Sequence, residues 1–240
     1  KPFEDGLINF IKHTNTPITI ALQGECGSGK TSLMNSLKQN LSEHDEASFH
    51  AIWLNTWEYA LMNDAQTTLV NILAKLIQET SKIANIDETE TKKMLGKLFS
   101  FGKNAAAFAV QTIGNKAIDG AGDFVASQML TEEGKSTVSE IRDELQEAIT
   151  SCCANSTKNN FIFFIDDLDR IDPPVAVELL ELLKNIFTLK NCVFILAIDY
   201  DVVIKGLEPK FGKLTEYNER EFRSFFDKII QVPFSMPVNN

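Results

Sequence analysis

The feature that most constrains the fold is the segment FIFFIDDLDRIDPP at residues 161–174. Five apolar residues run without interruption into Asp166 and Asp167, and two further aspartates, an arginine and a pair of prolines follow. Such an apolar run is typical of a strand buried on both faces, as in a parallel sheet. Because carboxylates are costly to bury, their position at the end of this strand predicts a partner for them, either a cation or a reacting group.

A glycine-rich segment nearer the start of the chain predicts what that partner is. GECGSGKT, at residues 24–31, matches the phosphate-loop (Walker A) pattern G-x-x-x-x-G-K-[S/T] in full. Residues 17–23 before it are predicted to form a strand, and residues 31–41 after it have helical spacing. A strand before and a helix after are the context that this pattern requires.

The residue types of this loop follow from the chemistry of phosphate binding. Glycines permit a curled backbone whose N–H groups point inward, and the next helix adds the positive end of its dipole. Lys30 is expected to reach the β- and γ-phosphates of ATP, and the Thr31 hydroxyl to hold Mg²⁺. The predicted nucleotide-binding residues are Gly24, Glu25, Cys26, Gly27, Ser28, Gly29, Lys30, Thr31 and Ser32.

The acidic strand end, in the position of a Walker B motif, is predicted to complete this site. Asp166 is expected to hold Mg²⁺ together with Thr31, because α/β folds bind ligands at the carboxyl edge of the sheet. Asp167 is expected to orient or deprotonate the attacking water. Many related ATPases have a glutamate in that role, so the shorter aspartate leaves slow hydrolysis open.

The residues that follow have other expected roles. Asp169 and Arg170 are expected to form a pair, either within the chain or between subunits. An arginine, Arg170 or one from a partner, is expected to complete the catalytic site. Asp172 is expected to cap the helix that Pro173 begins.

The rest of the chain alternates between strand and helix patterns. This alternation predicts a three-layer αβα sandwich with a mainly parallel sheet and a helical insertion between the phosphate loop and the acidic strand. A capping-box pattern of Thr137 and Glu140 predicts the start of one helix. Further strands are predicted at 50–57 and 192–198, helices at 64–80, 137–150, 173–189, 200–207 and 217–231, and a solvated loop at 85–94.

Composition narrows the possible partners. The 240 residues are interpreted as one P-loop domain of a longer protein, and their net charge of −10 gives no support for nucleic-acid binding. The inserted segment 95–130 is rich in small residues and is too polar to span a membrane, so it packs on its own domain or contacts a partner or a membrane surface. The longest apolar run, at 192–198, is far shorter than the roughly 20 residues of a membrane span.

Cysteine usage favours a reducing compartment. Cys26, Cys152, Cys153 and Cys192 show no C-x-x-C spacing and are interpreted as reduced thiols of a cytoplasmic protein. Cys26 lies inside the phosphate loop, where a helix terminus and a lysine lower the pKa of a thiol. A redox role and a variable loop position both remain open for it.

Taken together, these motifs resemble the KAP family of P-loop NTPases, a group within the AAA+ and STAND ATPases. The resemblance covers residues 18–237 and is carried by GECGSGKTS, NTWEY, FIFFIDDLDRID, FILAIDYD and FFDKIIQVPFSMP. It implies an ATPase domain that uses ATP and Mg²⁺ as a switch or assembly motor, with a homo-oligomer and an effector protein as partners. It also implies a role in bacterial antiphage defence, with a STAND-type sensor that oligomerises on ATP binding as the alternative.

The resemblance assigns further residues, each with a structural alternative. Asp199 is placed as a sensor of the γ-phosphate, and the alternative is a cap on the helix after it. Arg220 or Arg223 is placed as an arginine finger, and the alternative is a surface ion pair. Trp53 and Trp57 are expected to be core or interface aromatics rather than residues that stack on the nucleotide.

Overall fold

The computed structural model describes residues 2–43, 47–60, 65–99 and 132–237, and these ranges fold around one five-stranded sheet. The strand order is β2-β3-β4-β1-β5, and every neighbouring pair is parallel. This sheet confirms the predicted α/β class. The strands are β1 (Ile18–Gln23), β2 (Phe49–Asn55), β3 (Asn160–Asp166), β4 (Cys192–Ile198) and β5 (Val232–Ser235).

Helices cover both faces of the sheet. One core packs α1 and α2 against the sheet through residues such as Leu37 and Phe164, and the other packs α4 to α9 against Phe163 and Phe194. All seven residues of β4 are buried, which is why the sequence of this strand is apolar throughout. The helices are α1 (Pro2–His13), α2 (Lys30–Ser42), α3 (Trp57–Ala60), α4 (Ala65–Ile83), α5 (Glu88–Phe99), α6 (Glu132–Ala154), α7 (Pro173–Ile186), α8 (Tyr200–Phe211) and α9 (Glu219–Asp227).

The order of the strands positions the two motifs. β4 lies between β1 and β3 although it follows both in the chain. Leu196 of β4 is in register with Ala21 of β1 on one side and with Ile165 of β3 on the other. Because all three strands run in the same direction, the glycine-rich loop and Asp166 emerge at the same edge of the sheet.

Several predictions of local structure were wrong. Residues 85–94 are not a loop throughout, because α5 begins at Glu88 and buries Met94 and Leu98 beneath an exposed polar face. The capping-box prediction fails because α6 begins at Glu132, which places Thr137 inside the helix.

The other differences concern element ends and three elements that the pattern did not predict, among them the four-residue α3 at Trp57–Ala60. The helix predicted at 217–231 ends at Asp227, and β5 follows it. Asp172 occupies the N-cap position of α7, but its side chain makes no capping hydrogen bond. Neither α1 nor β5 was predicted. The helix predicted at 173–189 ends at Ile186.

The inserted segment is described only in part. Its first residues, 95–99, belong to α5, and residues 100–131 lie outside the described ranges. The expectation that this segment packs on its own domain or contacts a partner or a membrane surface therefore falls almost wholly on residues outside the described ranges. In the part of the chain that the structure describes, no helix combines the length and the apolar character needed to cross a bilayer.

Candidate functional site

The glycine-rich loop has a conformation that only its own sequence permits. Gly27 and Gly29 have φ angles of 84° and 91°, in the left-handed region that other residues rarely adopt. A β-carbon at Gly24 would lie 2.5 Å from Ser28 Oγ, so no side chain fits there without movement. The N–H of Ser28 donates to the carbonyl of Glu25 (3.1 Å) and closes the turn.

Both neighbouring strands hold the loop in place. The N–H of Gly24 donates to the carbonyl of Ile198 at the end of β4 (3.3 Å). On the other side, the N–H of Met236, just after β5, donates to the carbonyl of Gln23 (2.8 Å). The loop therefore begins from a fixed position, between the ends of β4 and β5.

Lys30 is the first residue of α2, and its charge is almost completely buried. The residue is only 6% exposed. Its Nζ donates to the carbonyls of Gly24 (2.6 Å) and Glu25 (3.1 Å) and lies 3.0 Å from Asp169 Oδ2. These three oxygens compensate the loss of water around the ammonium group. The pairing of Asp169 with Arg170 within the chain was therefore wrong, since Asp169 pairs with the phosphate-loop lysine. The alternative, a pair between subunits, stays a prediction.

The Asp166 carboxylate faces the start of the same helix. Asp166 is 3% exposed, and its Oδ1 accepts hydrogen bonds from the Thr31 hydroxyl (3.2 Å) and from the N–H of Asp167 (2.8 Å). The structure thus brings together the two residues that the sequence assigns to Mg²⁺. A hydroxyl and a buried carboxylate at one sheet edge are hard oxygen donors of the kind that Mg²⁺ prefers, so these residues fit that ion.

A residue that the sequence interpretation missed fixes the backbone of Asp166. Thr56, directly after β2, is fully buried and donates both its hydroxyl (2.9 Å) and its N–H (3.1 Å) to the carbonyl of Asp166. The NTWEY segment carries part of the family resemblance, but the resemblance gives no role to its threonine. A buried polar residue at the end of a strand was the available signal.

Asp167 has a strained backbone and a cationic partner. Its φ of 59° places it in the left-handed region, which costs a non-glycine residue roughly 1 kcal/mol. Arg170 Nε lies 2.7 Å from Asp167 Oδ1, and the Arg170 guanidinium lies 5.5 Å from the centroid of the Trp57 ring. Burial and the neighbouring Asp166 raise the pKa of the Asp167 carboxyl, and Arg170 opposes this shift.

The loop and the acidic turn enclose a cavity of about 210 Å³. Gly24, Glu25, Ser28 and Asp199 were predicted as site residues but do not line it. Asp199 Oδ1 instead accepts from the N–H of Asp201 (3.0 Å), which is the helix-capping alternative. The lining residues are Cys26, Gly27, Gly29, Lys30, Thr31, Ser32, Asp166, Asp167, Asp169 and Arg170.

The predicted arginine fingers and tryptophans have structural contacts. Arg223 pairs with Glu219 one turn earlier on α9 (2.7 Å), whereas Arg220 lines a separate cavity described below. Trp53 stacks on Phe164, with ring centroids 5.2 Å apart. These contacts agree with the structural alternatives for Arg223 and Trp53.

A glycine loop that leads from an internal parallel strand into a helix, with a buried carboxylate beside it, defines a P-loop NTPase fold. The profile of the KAP family P-loop domain matches residues 1–240, and the chain belongs to this family. Membership implies a nucleotide-binding domain and confirms the resemblance that the motifs predicted.

A curated relative is similar over most of the chain. The Phage T7 exclusion protein of Escherichia coli (strain K12) is 24% identical over 235 residues, which cover 91% of this chain and 30% of that protein. The chain thus spans about a third of the length of the relative that it matches.

Proposed function

We propose that this domain binds ATP with Mg²⁺ and hydrolyses ATP as a molecular switch or assembly motor. One observation carries this proposal, namely that Lys30, Thr31 and Asp166 converge on one cavity at the carboxyl edge of the sheet. Each of these three side chains has the chemistry that a triphosphate and its metal require.

Different residues of the cavity have different roles in binding and hydrolysis. The loop N–H groups and the Lys30 ammonium group bind the phosphates, and Thr31 and Asp166 hold the metal ion. Bound Mg²⁺ supplies charge neutralisation at the phosphate oxygens. Asp167 accepts a proton from the attacking water or orients that water, and the raised pKa of its carboxyl suits an acceptor.

The first test is Lys30→Ala. Without the ammonium group the dissociation constant for ATP·Mg²⁺ should rise at least about 100-fold in isothermal titration calorimetry. Lys38→Ala is the matched control, because Lys38 lies on the same helix but pairs with Glu43 at the surface. Circular dichroism checks that both variants are folded. Unchanged affinity in a folded Lys30→Ala variant would show that this loop does not bind the phosphates.

The second test is Asp167→Asn. Binding of ATP should stay within about threefold of the unsubstituted protein, whereas phosphate release should fall about 100-fold. Asp143→Asn is the control, because Asp143 lies on α6 and pairs with Arg142 there. Undiminished phosphate release would show that another group handles the water.

A STAND-type sensor is the second candidate, and the ion pair between Asp167 and Arg170 favours it. Arg170 engages one oxygen of the Asp167 carboxylate at 2.7 Å and opposes the rise in its pKa, which is consistent with little turnover. Light-scattering mass and phosphate release, both measured with ATP, separate the candidates. Oligomerisation without turnover supports the sensor, and continuous turnover supports the motor.

The similarity to the Phage T7 exclusion protein supports a further proposal, a role in antiphage defence. This role, a homo-oligomeric assembly, an effector protein partner, a cytoplasmic location and membrane association without spanning all belong to the proposal. Bacteria that carry the full-length protein should lose protection from phage when Lys30 is replaced by alanine. Full protection with that variant at equal protein levels would show that defence does not require nucleotide binding.

A further inference from the structure

A second and larger cavity lies among α7, α8 and α9. Its volume is about 670 Å³, against about 210 Å³ at the phosphate loop, and the two cavities share no lining residue. A volume in this range is typical of sites that hold a ligand or a partner's side chains. We call it the α7–α9 cavity.

The floor of the α7–α9 cavity is apolar and well packed. Phe225 and Ile229 are 8% and 3% exposed, so the rest of each side chain belongs to the core. The half-buried Phe211 also lines the cavity, and its ring packs edge-on against Phe222 with the centroids 5.5 Å apart. A floor fixed in this way offers a preformed surface for an apolar group.

The rim of the cavity carries positive charge. Lys210 pairs with Glu181 (2.7 Å), but Lys184, Arg220 and Lys228 form no ion pair with any described residue. Among the described residues, four cations and two carboxylates line the cavity, whereas the whole chain has a net charge of −10. Unpaired cations that converge on one concave surface favour an anionic ligand.

The surface beside the cavity extends the contact area. The connection between α8 and α9 joins Phe211 to the helix that carries Arg220, and both residues line the cavity. In this connection Leu214 is 41% exposed and Tyr217 is 97% exposed. Exposed apolar and aromatic side chains next to a charged rim are typical of protein interfaces.

We propose that the α7–α9 cavity docks an acidic peptide segment of a partner protein, with one aromatic or aliphatic side chain of that segment on the floor. Carboxylates on either side of this anchor would pair with Lys184, Arg220 and Lys228. Nucleic acid suits the site less well. The aromatic rings form the floor of a concave cavity instead of an exposed stacking platform, and the chain as a whole is acidic.

The test uses fluorescein-labelled hexapeptides and fluorescence anisotropy in the absence of nucleotide. The peptides are EEDFEE, EEDSEE, which lacks the apolar anchor, and KKNFKK, which reverses the charge. The unsubstituted chain should bind EEDFEE with a dissociation constant below about 1 mM and at least about tenfold more tightly than either other peptide. Raising the salt from about 0.05 M to about 0.3 M should weaken this binding.

Variants on α9 and just after it connect the binding to the cavity. Arg220→Glu combined with Lys228→Glu should weaken binding of EEDFEE at least about tenfold. Arg223→Glu is the matched control, because Arg223 lies on the same helix but does not line the cavity, and it should change the affinity less than about twofold. Equal melting temperatures show that the variants are folded.

Three outcomes would overturn the proposal. The first is no binding of EEDFEE at about 1 mM, and the second is an equal loss of binding in Arg223→Glu. The third is displacement of the peptide by a single-stranded oligodeoxythymidine of about 12 nucleotides, which would identify a nucleic-acid site instead. Because the measurement uses no nucleotide, its result does not depend on the ATPase proposal.

Discussion

The two edges of the central sheet bury polar side chains in opposite ways. At the carboxyl edge, Lys30 and Asp169 are both less than one-tenth exposed and form an ion pair. At the amino edge, His50 at the start of β2 lies 3.7 Å from the sulfur of Cys152 and 3.3 Å from the hydroxyl of Ser156. At the carboxyl edge, buried full charges are paired with each other. At the amino edge, the neighbouring side chains of His50, Cys152 and Ser156 can all be neutral.

The shifts in pKa follow this division. Burial, reinforced by Lys158, lowers the pKa of His50, and burial raises the pKa of Cys153 to about 11. Burial also raises the pKa of Cys192. At neutral pH these three groups are uncharged, so their burial carries no cost of desolvating an ion, and the charged Lys158 near His50 is only half-buried. Burial alone therefore does not distinguish the candidate site, whereas the buried charged residues of the described ranges, Lys30 and Asp166, both lie there.

The largest expected effect comes from removing the charge that compensates Lys30. Asp169→Asn leaves a buried ammonium group without its carboxylate, so the free energy of unfolding should fall by about 3 kcal/mol in urea denaturation without nucleotide. ATP·Mg²⁺ should nevertheless bind about tenfold more tightly in calorimetry, because its phosphates no longer compete with Asp169 for Lys30.

Asp172→Asn is the control for this substitution, because Asp172 lies in the same acidic segment but makes no capping hydrogen bond. Its stability and its affinity for ATP should remain close to those of the unsubstituted protein. Weaker nucleotide binding by Asp169→Asn would mean that Asp169 positions Lys30 for the phosphates, which would contradict competition.

A smaller effect distinguishes the thiols at the two edges. Raising a thiol pKa from 9.0 to about 11 lowers the thiolate fraction near pH 8 roughly 100-fold, and the greater nucleophilicity of the more basic thiolate offsets about tenfold of this. Cys153 should therefore react with iodoacetamide at least about tenfold more slowly than the exposed Cys26, as measured by peptide mass spectrometry.

Repeating the labelling with nucleotide tests whether a ligand binds at the loop. Cys26 lines the phosphate-loop cavity, so ATP·Mg²⁺ should slow its labelling and leave that of Cys153 unchanged. Equal protection of both thiols would indicate a global change in stability instead of a ligand at the loop.

The smallest expected effect is the pH dependence that His50 contributes. Its pKa in the folded protein lies below the ordinary value of 6.5, so the unfolded chain takes up the proton first as the pH falls. The free energy of unfolding should therefore decrease as the pH falls through 6.5 towards the lower pKa of the folded state. In the His50→Gln variant the free energy of unfolding should decrease less between about pH 7.5 and about pH 5.5. An equal or steeper decrease in that variant would contradict the sign of the shift.

The sequence predicted the parts of the fold that are determined by uniform burial. β4 is apolar along its whole length, and β3 is apolar from Phe161 to Ile165, because helices cover both faces, and this pattern has few other interpretations. α5 was missed because its buried residues, Met94, Leu98 and Phe99, lie at the end of a polar stretch. The apolar face of α5 can be recognised only from the structure, in which it packs against α4 and α6.

The pairing of charges at the site could not be predicted in the same way. The order of residues in DDLDR suggests that Asp169 and its neighbour Arg170 belong together. A single 3₁₀ turn at Leu168–Arg170 instead directs Asp169 to Lys30 and Arg170 to Asp167. Sequence motifs give the residue types of a site, but the backbone of a short turn decides which of them meet.

The two hydrogen bonds from Thr56 to the carbonyl of Asp166 have a mechanical consequence. β2 is the outermost strand on its side and lies three positions from the strand that precedes the phosphate loop. Through Thr56, which directly follows it, β2 nevertheless fixes the backbone of Asp166, whose carboxylate accepts the hydrogen bond from Thr31. A partner that displaced this outer strand would therefore move Asp166 without contacting the phosphate-loop cavity.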